Sequence, residues 1–193
     1  MTWRWSSLAV WLRLCRLPNL LTAPGDALAG FCLTAGPHGL APSRLVATAG
    51  ASVSLYAAGV ILNDIVDFQQ DRRERPTRPL PSGAVRSRAA GLLLAALLYL
   101  GCALGMFLGP RAFACSLALL STILCYNLAA RRWRWCGALV MGLCRGLNVM
   151  FGAAATGPPF TMWAWRPLAA AGGMTLYIGV VTWLAAREVS RGP

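Results

Sequence analysis

The sequence contains no lysine and a single histidine, and only six of its 193 residues are acidic. His38, the one histidine, sits in the turn Gly36-Pro37-His38-Gly39 on the sparsely charged side of the expected spans, which excludes a histidine base, a serine triad and a histidine metal site as the organising chemistry. The seven cysteines form no C-x-x-C pair and fall mostly in apolar stretches, so they are expected as buried free thiols that pack as small hydrophobes. Charged residues amount to 12% against 57% hydrophobic, a balance that excludes a soluble domain.

Long apolar runs dominate what is present. Six are near the length needed to cross a hydrocarbon core of about 30 Å, at roughly 18–40, 45–63, 88–109, 111–130, 137–156 and 166–186. The expected fold class is therefore all-α, a multi-pass transmembrane helical bundle. One domain is expected over 18–186, between an N-terminal segment, 1–17, and a short tail, 187–193. Residues 1–17 do not read as a cleavable signal, because Arg13 and Arg16 interrupt a short apolar run and no small-residue cleavage site follows. With Trp3, Trp5 and Trp11 among arginines, the segment reads as an interfacial helix.

The eighteen basic residues are all arginine, and fourteen of them fall on one side of the expected spans: the N-terminus, the loop between the second and third spans, the loop between the fourth and fifth, and the C-terminus. Only Arg44, Arg111 and Arg166 occupy the opposite loops, and Arg145 lies within a span. The positive-inside rule then places both termini and the 64–87 loop in the cytoplasm, as in a bacterial inner or plasma membrane. The +12 charge is a topology signal, and no nucleic-acid partner is expected.

Four of the six acidic residues, Asp64, Asp67, Asp71 and Glu74, lie within eleven positions. On a continuous helix, Asp64, Asp67 and Asp71 at i, i+3 and i+7 fall within about 60° of one another and span about 10 Å. Carboxylates that close repel unless a cation sits among them, and hard oxygen ligands of this kind suit Mg²⁺, which completes its shell with water and phosphate oxygens. The second helix is expected to run through the aspartates and break near Pro76. After it, Pro79, Pro81 and Ser82-Gly83 predict a stiff, turn-rich return to the membrane.

Polar residues inside the spans are few. Asn19, Thr22 and Asp26 share the same spacing and predict one polar stripe on the first span, and Arg145 and Asn148 share a face of the fifth with Gly142 and Gly152. Asp26 and Arg145 come out at similar depth, about 10 and 12 Å from the cytoplasmic face. An unpaired charge there is strongly disfavoured, so they are expected as an ion pair or as two walls of one polar chamber.

The string Asn63-Asp64-x-x-Asp67-x-x-x-Asp71, followed by Arg78-Pro79-Leu80-Pro81-Ser82-Gly83, resembles the first aspartate-rich motif of the UbiA superfamily of intramembrane prenyltransferases, to which 4-hydroxybenzoate polyprenyltransferases belong. Tyr126 with Arg131 resembles the family's Tyr-to-Lys/Arg element, and Arg16-Leu17-Pro18-Asn19 resembles its entry to helix one. Met141-Gly142-Leu143-Cys144-Arg145-Gly146-Leu147-Asn148 is similar to the divergent EboC-like branch. The resemblance implies transfer of an isoprenyl group from an isoprenyl diphosphate to an aromatic or other lipophilic acceptor in a chamber open to the bilayer. It implies Mg²⁺ held by Asp64, Asp67 and Asp71 with Asn63. Asn19, Arg78, Tyr126 and Arg131, with Asp26, Arg145 and Asn148, are then the candidate substrate-binding residues.

The pattern departs from that family in one respect. A second aspartate-rich motif is expected after the sixth span, where Leu184 to Pro193 offers Glu188 alone, so the chain reads as six spans of a nine-span fold. That leaves a second reading open, a non-catalytic member that binds a polyprenyl or aromatic ligand within a transport or export assembly. A CDP-alcohol phosphotransferase is excluded, because Asp67 is followed by Phe68-Gln69-Gln70 rather than by its D-G and A-R signatures.

Overall fold

A computed structural model describes residues 7–35, 41–157 and 164–189, and every described element is helical. In chain order these are α1 (Ser7–Leu14), α2 (Leu17–Leu20), α3 (Ala23–Ala35), α4 (Pro42–Val66), α5 (Phe68–Glu74), α6 (Ser87–Leu108), α7 (Pro110–Leu128), α8 (Arg134–Ala154) and α9 (Trp165–Val189), with one 3-10 turn at Ala130–Arg132. Five of them, α4 and α6 to α9, are long and apolar enough to cross a membrane, and they lie within a few residues of five expected spans. The chain is an integral, multi-pass membrane protein.

The first expected span is not one helix. It divides into the four-residue α2 and the thirteen-residue α3, and α3 reaches only about 20 Å against a core of about 30 Å. Pro24 is the cause, since it has no N–H for the Leu20 carbonyl and its ring crowds that carbonyl. The expected stripe breaks with it. Asn19 and Thr22 are exposed and bond to each other through the Thr22 hydroxyl and the Asn19 carbonyl (2.7 Å), whereas Asp26 is buried. His38 and the first six residues, with Trp3 and Trp5, lie outside the described residues, as does the side chain of Glu188.

Helix α8 is the hub, packed against α3, α7 and α9, while α4 packs against α3, α6 and α7. Small residues permit these approaches. A Cβ on Gly152 would fall onto the Ala27 carbonyl of α3, and one on Gly30 onto the Val149 carbonyl of α8. Gly142 and Gly146 meet Thr175 of α9 in the same way, so the expected common face of α8 is divided, with Gly142 turned to α9 and Gly152 to α3. Close approach of this kind drives helix association where lipid removes the hydrophobic incentive.

The outer surface suits a lipid solvent. Leu92, Tyr99, Phe107, Leu176 and Tyr177 are largely exposed, a pattern a water-facing domain does not carry. On α9, Trp165 and Trp183 are separated by about 27 Å of helix, close to the hydrocarbon thickness. Trp183 stacks on Trp135 (4.9 Å between centroids), with the Arg187 guanidinium 4.1 Å from its ring. The cysteines are free, as expected, but none is fully buried. Cys32, Cys125 and Cys136 are exposed on this apolar surface, which corrects their expected burial.

Candidate functional site

Helix α4 carries Asn63 and Asp64 in its last turn and ends at Val66. Asp67 leaves helical geometry (φ −84°, ψ 1°) before α5 resumes and carries Asp71. The single carboxylate face expected on a continuous helix is therefore kinked at its middle member. Asp64 and Asp71 are buried on one side, and both converge on Arg78, whose Nη1 lies 3.6 Å from Asp64 Oδ1 and 2.5 Å from Asp71 Oδ2. Asp67 turns instead to Arg131, with which it forms an ion pair, and accepts a 3.0 Å hydrogen bond from Asn63 Nδ2.

A third arginine completes the set. Arg16 Nη2 donates to Asp64 Oδ1 at 2.8 Å. Its backbone is left-handed (φ 51°), and it is the only non-glycine residue with positive φ among those described. Such strain persists only where the surroundings over-determine it. Three aspartates thus meet three arginines, and the cluster is charge-balanced. Glu74 bonds to Gln70 in solvent (3.0 Å), and Arg72, Arg73 and Arg75 are exposed and solvated.

The loop after α5 holds Arg78 in place by turns. Ser82 N–H bonds to the Arg78 carbonyl (3.0 Å), Val85 N–H to that of Pro79 (3.0 Å), and Gly83 takes the positive φ (75°) that the reversal requires. Leu80 and Val85 are buried against Leu14 of α1 and Ile61 of α4, so the N-terminal helix also packs onto this loop.

Below the cluster lies a half-open cavity of about 180 Å³ lined mainly by α4, α7 and α8. Arg16, Asn63 and Tyr126 line its aspartate end, and Ser52, Tyr56, Arg145 and Asn148 also line it. Asp26 and Arg145 are brought together as expected, with Oδ2 and Nε 2.7 Å apart but too bent for a hydrogen bond. Asn19 is not brought in; it remains exposed on α2, outside the cavity. Sequence reasoning missed Arg16, Ser52, Tyr56 and Asn127 as lining residues. Ser52, Tyr56, Gly59 and Asn63 repeat at i, i+4, i+7 and i+11, one face of a helix that period alone could have revealed.

No group of three His, Cys, Asp or Glu side chains stands at metal-binding distance among the described residues. The donor set nonetheless fits Mg²⁺. Asp64 and Asp71 converge on one guanidinium, so a cation position already exists between two hard carboxylates, with Asp67 and the Asn63 amide adjacent.

Fold and site together define a polytopic helical membrane protein with an arginine-paired aspartate cluster over an apolar cavity. The chain belongs to the UbiA prenyltransferase family, which matches residues 26–189. It is 30% identical over 187 residues to a digeranylgeranylglyceryl phosphate synthase of Ignicoccus hospitalis, covering 96% of this chain and 58% of that protein. An apo UbiA homologue of Aeropyrum pernix superposes with a TM-score of 0.74 at 27% identity, over 85% of this chain and 61% of that one. A UbiA homologue of Archaeoglobus fulgidus bound to DMAPP and Mg²⁺ shares the fold, with a TM-score of 0.73 at 20% identity over 88% of this chain and 60% of that one. The chain spans a little over half the length of such curated relatives.

Proposed function

We propose that this protein transfers an isoprenyl group from an isoprenyl diphosphate to a lipophilic or aromatic acceptor, with Mg²⁺. The observation that carries the reading is the convergence of Asp64, Asp67 and Asp71 with Arg16, Arg78 and Arg131 at the mouth of an apolar cavity. The Archaeoglobus homologue bound to DMAPP and Mg²⁺ supports it.

In this reading the allylic carbon–oxygen bond breaks heterolytically and the electron pair leaves with the diphosphate. Arg78 and Arg131 exchange their aspartate partners for diphosphate oxygens as negative charge develops there. Asp64, Asp67 and Asp71 with Asn63 would hold Mg²⁺, which would supply Lewis-acid stabilisation of the same charge. The isoprenyl tail occupies the apolar cavity, where water is excluded from the allylic cation. An electron pair of the acceptor forms the new bond to carbon, and the acceptor's proton passes to solvent. Tyr126 lines the cavity beside Arg131 and orients the substrate. Both termini and the aspartate loop face the cytoplasm, and α1 lies in the interface.

The charge balance of the cluster favours one alternative, a member that binds a prenyl ligand without turning it over. Incubating the full chain in nanodiscs with isoprenyl diphosphates, Mg²⁺ and a lipid extract separates the two. Diphosphate release that is lost with chelator and in Asp64→Ala supports transfer. Saturable binding with no release supports the alternative.

A further inference from the structure

We propose that five exposed arginines around the aspartate cluster form an electrostatic rim that draws the isoprenyl diphosphate to the site, so that the donor arrives through water rather than by diffusion within the bilayer. The identity of the anion rests on the transfer reading; the rim itself rests on unpaired charge. Arg72, Arg73 and Arg75 follow Asp71 at the end of α5, and Arg132 and Arg134 lie on either side of Trp133, just after Arg131. Asp71 pairs with Arg78 and Arg131 pairs with Asp67, so chain adjacency alone puts all five around the mouth of the site. All five are exposed, and none forms an ion pair among the described residues. The one acidic residue in these two stretches, Glu74, bonds instead to Gln70 (3.0 Å).

The contrast with the cluster itself gives the rim its task. There three aspartates meet three arginines, and their fields cancel at longer range. A polyanion one Debye length away, about 10 Å at 0.1 M salt, feels only the charge left over, and the rim is that charge. Membrane orientation accounts for the number of arginines on this side, but it sets no requirement on how fast an anion associates. On the opposite side a guanidinium is used differently. Arg44 donates to the Ala155 and Leu108 carbonyls and joins the ends of α8 and α6.

Stopped-flow association of a geranyl diphosphate bearing a terminal fluorophore tests this, on the full chain in nanodiscs of zwitterionic lipid at fixed Mg²⁺. The on-rate is expected to fall about tenfold or more as ionic strength rises from about 0.01 to about 0.15 M. Arg72→Gln/Arg73→Gln/Arg75→Gln should lower the low-salt on-rate several-fold and leave the off-rate unchanged. Arg72→Lys/Arg73→Lys/Arg75→Lys should keep the wild-type rate, because steering needs the charge and not the guanidinium fork. Arg111→Gln/Arg166→Gln, which removes charge from the opposite side, should have little effect. The wild-type salt series decides the matter even if the glutamine variant does not fold. An on-rate indifferent to salt, a rate that scales with the amount of lipid, or a folded lysine variant as slow as the glutamine one overturns the proposal. Salt-dependent association without diphosphate release would keep the rim and remove the transfer reading. Release with salt-independent association would do the reverse.

Discussion

Arg145 Nε on α8 and Asp26 Oδ2 on α3 stand 2.7 Å apart, both largely buried, in an ion pair that lies away from the aspartate cluster. Breaking such a pair leaves one charge buried without a counter-ion, at a cost of about 3–5 kcal/mol, whereas removing both charges is close to neutral. Asp26→Asn and Arg145→Gln are each expected to lower the yield of folded protein in detergent, and the double variant to recover part of the loss. Size-exclusion yield and melting temperature read the cycle. Losses that simply add would mean that the residues act independently.

Arg78 is shared by Asp64 and Asp71, so in the proposed reading it competes with the metal for the same carboxylates. Arg78→Met should raise the affinity for Mg²⁺ alone by removing a competing cation. The same change should weaken binding of a prenyl diphosphate about tenfold or more, because a charge-assisted contact to the leaving group is lost. Calorimetry with each ligand separately checks the opposite signs. A change of the same sign for both would remove Arg78 from the diphosphate site.

Gly152 and Gly30 hold α3 against α8 by backbone contact, whereas a Cβ on Gly25 meets nothing within 4 Å. Gly152→Ala should destabilise by about 1–3 kcal/mol through overpacking. Gly25→Ala, in the same helix as Gly30, should be neutral or stabilising by up to about 1 kcal/mol. Thermal melting of the two variants side by side gives the comparison.

With fourteen of eighteen arginines on one side of the spans, the loop bearing Ser82 is expected in the cytoplasm. Ser82→Cys, in a background without native thiols, should resist a membrane-impermeant maleimide in intact cells and react after lysis. Labelling in intact cells would reverse the topology.

Helix number and type were largely legible in the sequence because bilayer thickness imposes run lengths that composition displays directly, as at α4 and α6 to α9. The exception is the first span, where a single proline at position 24 outweighed an apolar run. At the site, the partnership of Asp26 with Arg145 followed from depth and charge alone, since an intramembrane charge has few choices of partner. The kink at Asp67, the left-handed backbone of Arg16 and the division of the aspartates between Arg78 and Arg131 were not legible. Each depends on how α1, the loop after α5 and the 3-10 turn pack together, and periodicity within one helix carries no information about that.

The central claim is that Asp64, Asp67 and Asp71 hold a metal-dependent diphosphate site. Calorimetric titration of dimethylallyl diphosphate into the purified full chain, with Mg²⁺ and with chelator, tests it most directly. Saturable binding that requires Mg²⁺, disappears in Asp64→Ala and in Asp67→Ala, and survives in Glu74→Ala is the result predicted. Binding indifferent to Mg²⁺, or lost equally in all three variants, would contradict the account and reduce the aspartates to a charged loop.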